Sequence, residues 1–203
     1  MQIIKALLVA VTLGSMSAPA VFAQSLEKKL QGLSADEQAA ILMETPAEAA
    51  LRQAKRGDVR AQYDIGARYA SGHGVIQNYA EAEKWLRKAA NQGSARAQRK
   101  LAGMYEDGEG VNRDYKAAVK LYRKASEQGD EEAQFKLSQM YGNGRGVSKD
   151  KVLAHMWANI AASNGQREAA SERQSLERWM SNKKIKKAQK LARECVQKNY
   201  KNC

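Results

Sequence analysis

Residues 93–128 read GSARAQRKLAGMYEDGEGVNRDYKAAVKLYRKASEQ, and the stretches on either side repeat their plan. Residues 57–92 (GDVRAQYDIGARYASGHGVIQNYAEAEKWLRKAANQ) and 129–164 (GDEEAQFKLSQMYGNGRGVSKDKVLAHMWANIAASN) align with them without a gap. Gly57, Gly93, Gly129 and Gly165 therefore stand at one spacing. Gln62, Gln98 and Gln134 fall in step with them, as do Tyr69, Tyr105 and Tyr141. A fixed period of this size marks an array of small structural units.

Each unit reads as two helices joined by a glycine-bearing loop. In the first helix Ala61, Ile65 and Tyr69 recur four residues apart and form one apolar stripe; Ala97, Leu101, Tyr105 and Ala133, Leu137, Tyr141 match them. Gly66, Ala102 and Ser138 lie beside the stripe and leave room for a second helix to approach. Asp58, Ser94 and Asp130 stand where a side-chain oxygen can cap the helix start. The pairs Gly72/Gly74, Gly108/Gly110 and Gly144/Gly146 can take the positive φ that ends a helix and reverses the chain. Val75, Val111 and Val147 then fold back. Asn78, Asp114 and Asp150 cap the second helices, and Glu81, three residues after Asn78, completes a capping box. The second helices present Ala82, Trp85, Ala89 and their equivalents. No unit carries enough apolar surface to stand alone, so stability must come from stacking.

The pattern A-x-A-Q-x-x-[LI]-[GA]-x-x-Y-x-x-G-x-G-V, followed by a capping residue, Ala, an aromatic or Leu and K-A-[AS]-x-Q-G, resembles the Sel1-like repeat, a relative of the tetratricopeptide repeat. The resemblance covers 57–164 in three units: 57–92, 93–128 and 129–164. It implies an all-α, right-handed α/α solenoid whose first helices line a concave face, and a binding scaffold in place of an enzyme. Residues 24–56 read as an N-terminal helical cap, with capping boxes at Ser34–Glu37 and Thr45–Glu48, and 165–203 as basic C-terminal capping helices. Arg173 occupies the stripe position of Ile65, so a fourth full unit is not expected. The third unit also departs at Asn164, where the pattern has glutamine.

Residues 1–23 read as a cleaved signal peptide: Lys5, the apolar run Ala6–Leu13, and Val21-Phe22-Ala23 before the cut. The product is then periplasmic or secreted, with no stable membrane insertion. Cys195 and Cys203 are the two cysteines; in an exported chain they are expected to pair, provided the last helix ends near Asn199-Tyr200 and the tail folds back.

The formal net charge is +12. Residues 167–203 hold eleven Lys/Arg against four Glu. Lys183, Lys184, Lys186, Lys187 and Lys190 form the outer face of a helix whose buried side is Ile185, Ala188, Leu191, Ala192 and Cys195. That face suits a solvated cap, or an anionic envelope polymer, lipid headgroup or acidic protein. Nucleic acid is disfavoured because no groove-reading or base-stacking motif is present.

Catalytic and metal signals are thin, and no cofactor or metal is expected. His73 and His155 have no ligand-spaced companions. The Gly-x-Gly triplets lack the third glycine and the strand of a phosphate loop. Ser148-Lys149-Asp150-Lys151 has the Ser-x-x-Lys spacing of penicillin-recognising enzymes, but the same spacing occurs at Ser25–Lys28 and Ser181–Lys184 and no Lys-Thr-Gly is present. A hydrolase is the weakest reading. Most aromatic residues occupy repeat positions and read as core. The tetratricopeptide analogy places Arg60, Tyr63 and Ala67, then Arg96, Arg99 and Gly103, then Glu132, Phe135 and Gln139 on the concave face, where they vary while their neighbours stay fixed. Arginine with Tyr or Phe is the composition of a protein-binding hot spot, and such a groove fits a protein or peptide partner.

Overall fold

The computed structural model describes Ser34 and residues 44–203. The signal-peptide reading, the first capping box and most of 24–43 lie outside these residues. The chain divides into two units, Met1–Thr45 and Pro46–Cys203, and the architecture is that of the second.

Among the described residues there are nine helices and no strand. They are α1 (Pro46–Lys55), α2 (Val59–Ser71), α3 (Tyr79–Asn91), α4 (Ala95–Asp107), α5 (Tyr115–Ser126), α6 (Glu131–Asn143), α7 (Lys151–Ser163), α8 (Arg167–Glu177) and α9 (Asn182–Gln197). The pairs α2/α3, α4/α5 and α6/α7 are the three repeats. Each second helix also packs on the first helix of the next unit, so the stack is continuous.

Side-chain caps open all six helices of the three repeats. Asp58, Ser94 and Asp130 accept from the amides of Ala61, Ala97 and Ala133 at 2.8, 3.3 and 2.9 Å. Asn78, Asp114 and Asp150 cap α3, α5 and α7 in the same way. The capping box at Asn78 is only half made. Asn78 takes the Glu81 amide, but the Glu81 carboxylate turns to Lys84 Nζ and Trp85 Nε1 at 2.9 and 3.0 Å. Two stronger donors on the next turn outcompete one backbone amide.

The second glycine of the second and third triplets is needed for more than its turn. Gly110 (φ 70°) and Gly146 (φ 72°) seat the loop of one unit on the start of the previous unit's second helix. A Cβ on Gly110 would lie 2.1 Å from Tyr79 Cβ, and one on Gly146 2.2 Å from the Tyr115 carbonyl oxygen. Only a residue without a side chain permits that approach.

The interior is built on alanine. Ala82, Ala118 and Ala154, and Ala89, Ala125 and Ala161, are wholly buried, which lets the helices pack closely; Trp85, Leu86, Tyr122 and Trp157 supply bulk. Val75, Val111 and Val147 pack against the three core clusters in turn.

The ends differ from the middle. α1 occupies the position of a second helix before the first unit and gives the Ala54 carbonyl to Gln62, as Ala90 does to Gln98. After Gly165, α8 begins in register as a fourth first helix. α9 then packs back on α7, parallel to it, with little contact to α8. With Arg173 at the stripe position, engaging Asn159 Oδ1 at 2.9 Å, α8 offers no apolar seat for a partner helix.

Candidate partner-binding surfaces

Because the caps hold α2, α4 and α6 in one register, equivalent residues form rows across the three units. Arg60, Arg96 and Glu132 are one row and are exposed; Tyr63, Arg99 and Phe135 are the next and are half-buried, as is Gln139. Tyr63 rests on the core beneath α2 and α4, whereas Phe135 joins none of the buried clusters.

Two of these residues are already committed to each other. Arg99 Nη1 meets Glu132 Oε2 at 2.5 Å, and its Nε meets Asp130 Oδ1 at 3.0 Å, tying the second unit to the third. Burial of the guanidinium opposes its charge, but the Asp130 and Glu132 carboxylates outweigh that and hold its pKa above the usual arginine value. Arg99 and Glu132 are thus a brace between repeats, a role the sequence reading missed. Arg60 and Arg96 make no ion pair.

A polar ladder keeps the rows aligned from inside. Gln62, Gln98 and Gln134 donate to the carbonyls of Ala54, Ala90 and Ser126 at 3.2, 3.1 and 3.3 Å. Each accepts in turn from an amide 30 residues on: Gln92, Gln128 and Asn164, at 2.7, 2.8 and 2.8 Å. Asn164, the departure from the repeat pattern, keeps the bond, and Tyr200 OH caps it at 3.2 Å. Next to this ladder Tyr122 OH donates to Glu106 Oε2 at 2.7 Å, and Lys136 Nζ lies 3.2 Å from the same oxygen. Burial, reinforced by the Glu106 carboxylate, pushes the Tyr122 phenol well above its ordinary pKa.

In α9, Ala188, Ala192 and Cys195 face inward and the basic residues face out. At about 100° per residue, Lys183, Lys186, Lys187 and Lys190 share one arc with Arg193, while Lys184 falls on its flank. Cys195 and Cys203 are joined, with Cα atoms 5.5 Å apart. The helix ends at Gln197, and Asn199, Tyr200 and Asn202 take positive φ as the tail returns. Among the described residues no helix is long and apolar enough to cross a membrane.

Other features went unread in the sequence. Lys116, Lys120 and Lys124 form a stripe along α5 beside a groove of about 810 Å³ whose apolar lining includes Leu101, Leu121 and Val147; their spacing of four residues was the available signal. His155, fully buried, contacts Glu177 Oε1 through Nε2 at 2.8 Å, and its Nδ1 has no partner. Trp179 is not core: it is 76% exposed in the α8–α9 turn. Ser148 and Lys151 are exposed at the start of α7, where Asp150, between them, is the helix cap. No cluster of three or more metal-ligating side chains occurs among the described residues.

The family model of the Sel1 repeat matches residues 59–94, 95–130 and 131–166, two residues later in phase than the glycine-based boundaries. Among solved structures, a Sel1 repeat protein from Oxalobacter formigenes is 41% identical, with a TM-score of 0.58 over 63% of this chain and 96% of that one. A protective antigen of uropathogenic Escherichia coli with an SLR fold is 25% identical, with a TM-score of 0.58; the match covers 86% of this chain but only 45% of the antigen. Helicobacter pylori cysteine rich protein B, at 24% identity and a TM-score of 0.51 over 63% of this chain and 96% of that one, shares the fold. No curated protein matches the chain.

Proposed function

This chain belongs to the Sel1 repeat family, and from that premise we propose that it is an exported scaffold that docks a protein or peptide partner in the bacterial envelope, on the face of α2, α4 and α6. Sel1 repeat proteins generally act in protein–protein interaction. The observation that carries the reading to this face is what the repeats leave unused. The apolar stripes, glutamines, caps and glycines are consumed internally, and so is the Arg99–Glu132 pair. Arg60 and Arg96 remain exposed without ion-pair partners on the first two units, and Phe135 on the third belongs to no core cluster. Two unpaired guanidinium groups flanking aromatic surface suit an acidic segment with apolar anchors. Tyr63 and Gln139 border it.

Export is supported by the signal-like residues 1–23 and by the closed Cys195–Cys203 bond, which persists in oxidising compartments. The test is retention of the native envelope partner by an Arg60→Glu/Arg96→Glu variant. Loss of the partner with unchanged helical content supports this face; full retention sinks it.

A further inference from the structure

We propose that the α8–α9 turn and the outer face of α9 dock on an anionic lipid surface. Four observations converge. First, Lys183, Lys186, Lys187, Lys190 and Arg193 occupy roughly a third of the helix circumference, and the one carboxylate among them, Glu194, approaches only Lys190, at 3.7 Å. Lys183, Lys186 and Lys187 have no carboxylate partner. Second, the apolar side of α9 is already filled by α7, so this helix does not seek a hydrophobic groove. Its outer arc presents charged and polar side chains, and the exposed Val196 lies on another side of the helix.

Third, the turn that feeds it carries Trp179, 76% exposed, while Trp85 and Trp157 are 5% and 2% exposed. An indole joins an apolar ring to an N–H donor and is favoured at the boundary between lipid and water. Fourth, the turn lies at the same edge of the array as the α6–α7 loop. Glu177, at the end of α8, touches His155 near the start of α7, and that loop adds exposed Arg145 and Lys149. A soluble polyanion would use the lysines but has no use for an exposed tryptophan. Lipid headgroups use the lysines and the interface uses the ring. This surface is separate from the first-helix face, so either reading can fail without the other.

The test mixes the full chain, at low salt, with vesicles of phosphatidylcholine alone or with about a third phosphatidylglycerol. Cosedimentation and tryptophan emission are the readouts. Residues 1–23 contain no tryptophan and are common to every variant. The expected result is a blue shift with anionic vesicles only. Lys183→Gln/Lys186→Gln/Lys187→Gln lowers partitioning on the order of 100-fold, at about fivefold per lysine. Trp179→Ser abolishes the shift and weakens partitioning about tenfold, and Trp179→Tyr restores the binding. All the substituted side chains are exposed, and circular dichroism checks that the helices persist. Partitioning unchanged in either variant overturns the proposal. So does equal binding to soluble polyglutamate with Trp179 emission unmoved, which reassigns the face to a soluble polyanion.

Discussion

Gly146 and Gly93 both hold positive φ, but only Gly146 is pressed against another unit, and this separates two reasons for a glycine. At Gly93 (φ 92°) an added Cβ meets nothing within 4 Å, so Gly93→Ala carries only the backbone penalty, about 1–2 kcal/mol. At Gly146 the same Cβ would lie 2.2 Å from the Tyr115 carbonyl oxygen and 2.4 Å from its carbon. Neither atom can rotate away, because both belong to the start of α5. The loop must lift off the previous unit, adding about 1–3 kcal/mol on the scale of overpacked sites. Gly146→Ala is therefore expected to cost about 2 kcal/mol more than Gly93→Ala. With a urea slope of about 2 kcal/mol/M, that is a midpoint lower by roughly 1 M. Urea titration followed by far-ultraviolet circular dichroism reads both variants. Equal midpoints would refute the claim that this glycine serves inter-repeat contact.

Gln98→Ala removes both hydrogen bonds of a buried side chain, the one it gives the Ala90 carbonyl and the one it takes from Gln128, so at about 1 kcal/mol each it should lower stability by about 2 kcal/mol, more than Gln92→Ala at the ladder's exposed rim; denaturant titration compares them. Reducing Cys195–Cys203, a bridge of sequence separation 8, should loosen the end of α9 by about 2.5 kcal/mol on the chain-entropy model, seen as faster hydrogen exchange there with α4–α6 unchanged. Tyr122 has its pKa raised in the fold, first by burial and then by Glu106. Its contribution is complete below the ordinary tyrosine pKa of about 10 and is lost as pH rises beyond it. Stability should fall more steeply above pH ~10 in wild type than in Tyr122→Phe, and parallel curves would count against that assignment.

What the sequence made legible was local or strictly periodic. Caps at Asp58, Ser94 and Asp130, the turns at the glycine pairs and the apolar stripes each depend on residues a few positions apart. What it hid lies across units. Arg99 reaches Glu132 because the position three residues before its own equivalent one period on is acidic; charge complementarity had to be sought at the repeat spacing less three. The buried glutamines were visible as a fixed polar position without revealing that each bonds both ways. Arg173 signals that a fourth full unit is not completed, but not how far it goes. In the structure its first helix forms, and only the second is displaced, because α9 finds its apolar seat on α7. Trp179 lies beyond the repeats, where no period predicts its surroundings, and nothing in its neighbours signals the turn that exposes it.

The central claim is that a partner docks on the first-helix face. The direct measurement is in-cell photocrosslinking from p-benzoylphenylalanine placed at Phe135 and, in a second strain, at Lys120 on α5. The account expects one discrete protein adduct from position 135, weakened when Arg60→Glu/Arg96→Glu is added, and none of the same mass from position 120. An adduct from position 120 alone, indifferent to both charge reversals, would contradict it and place the partner on the lysine-lined groove.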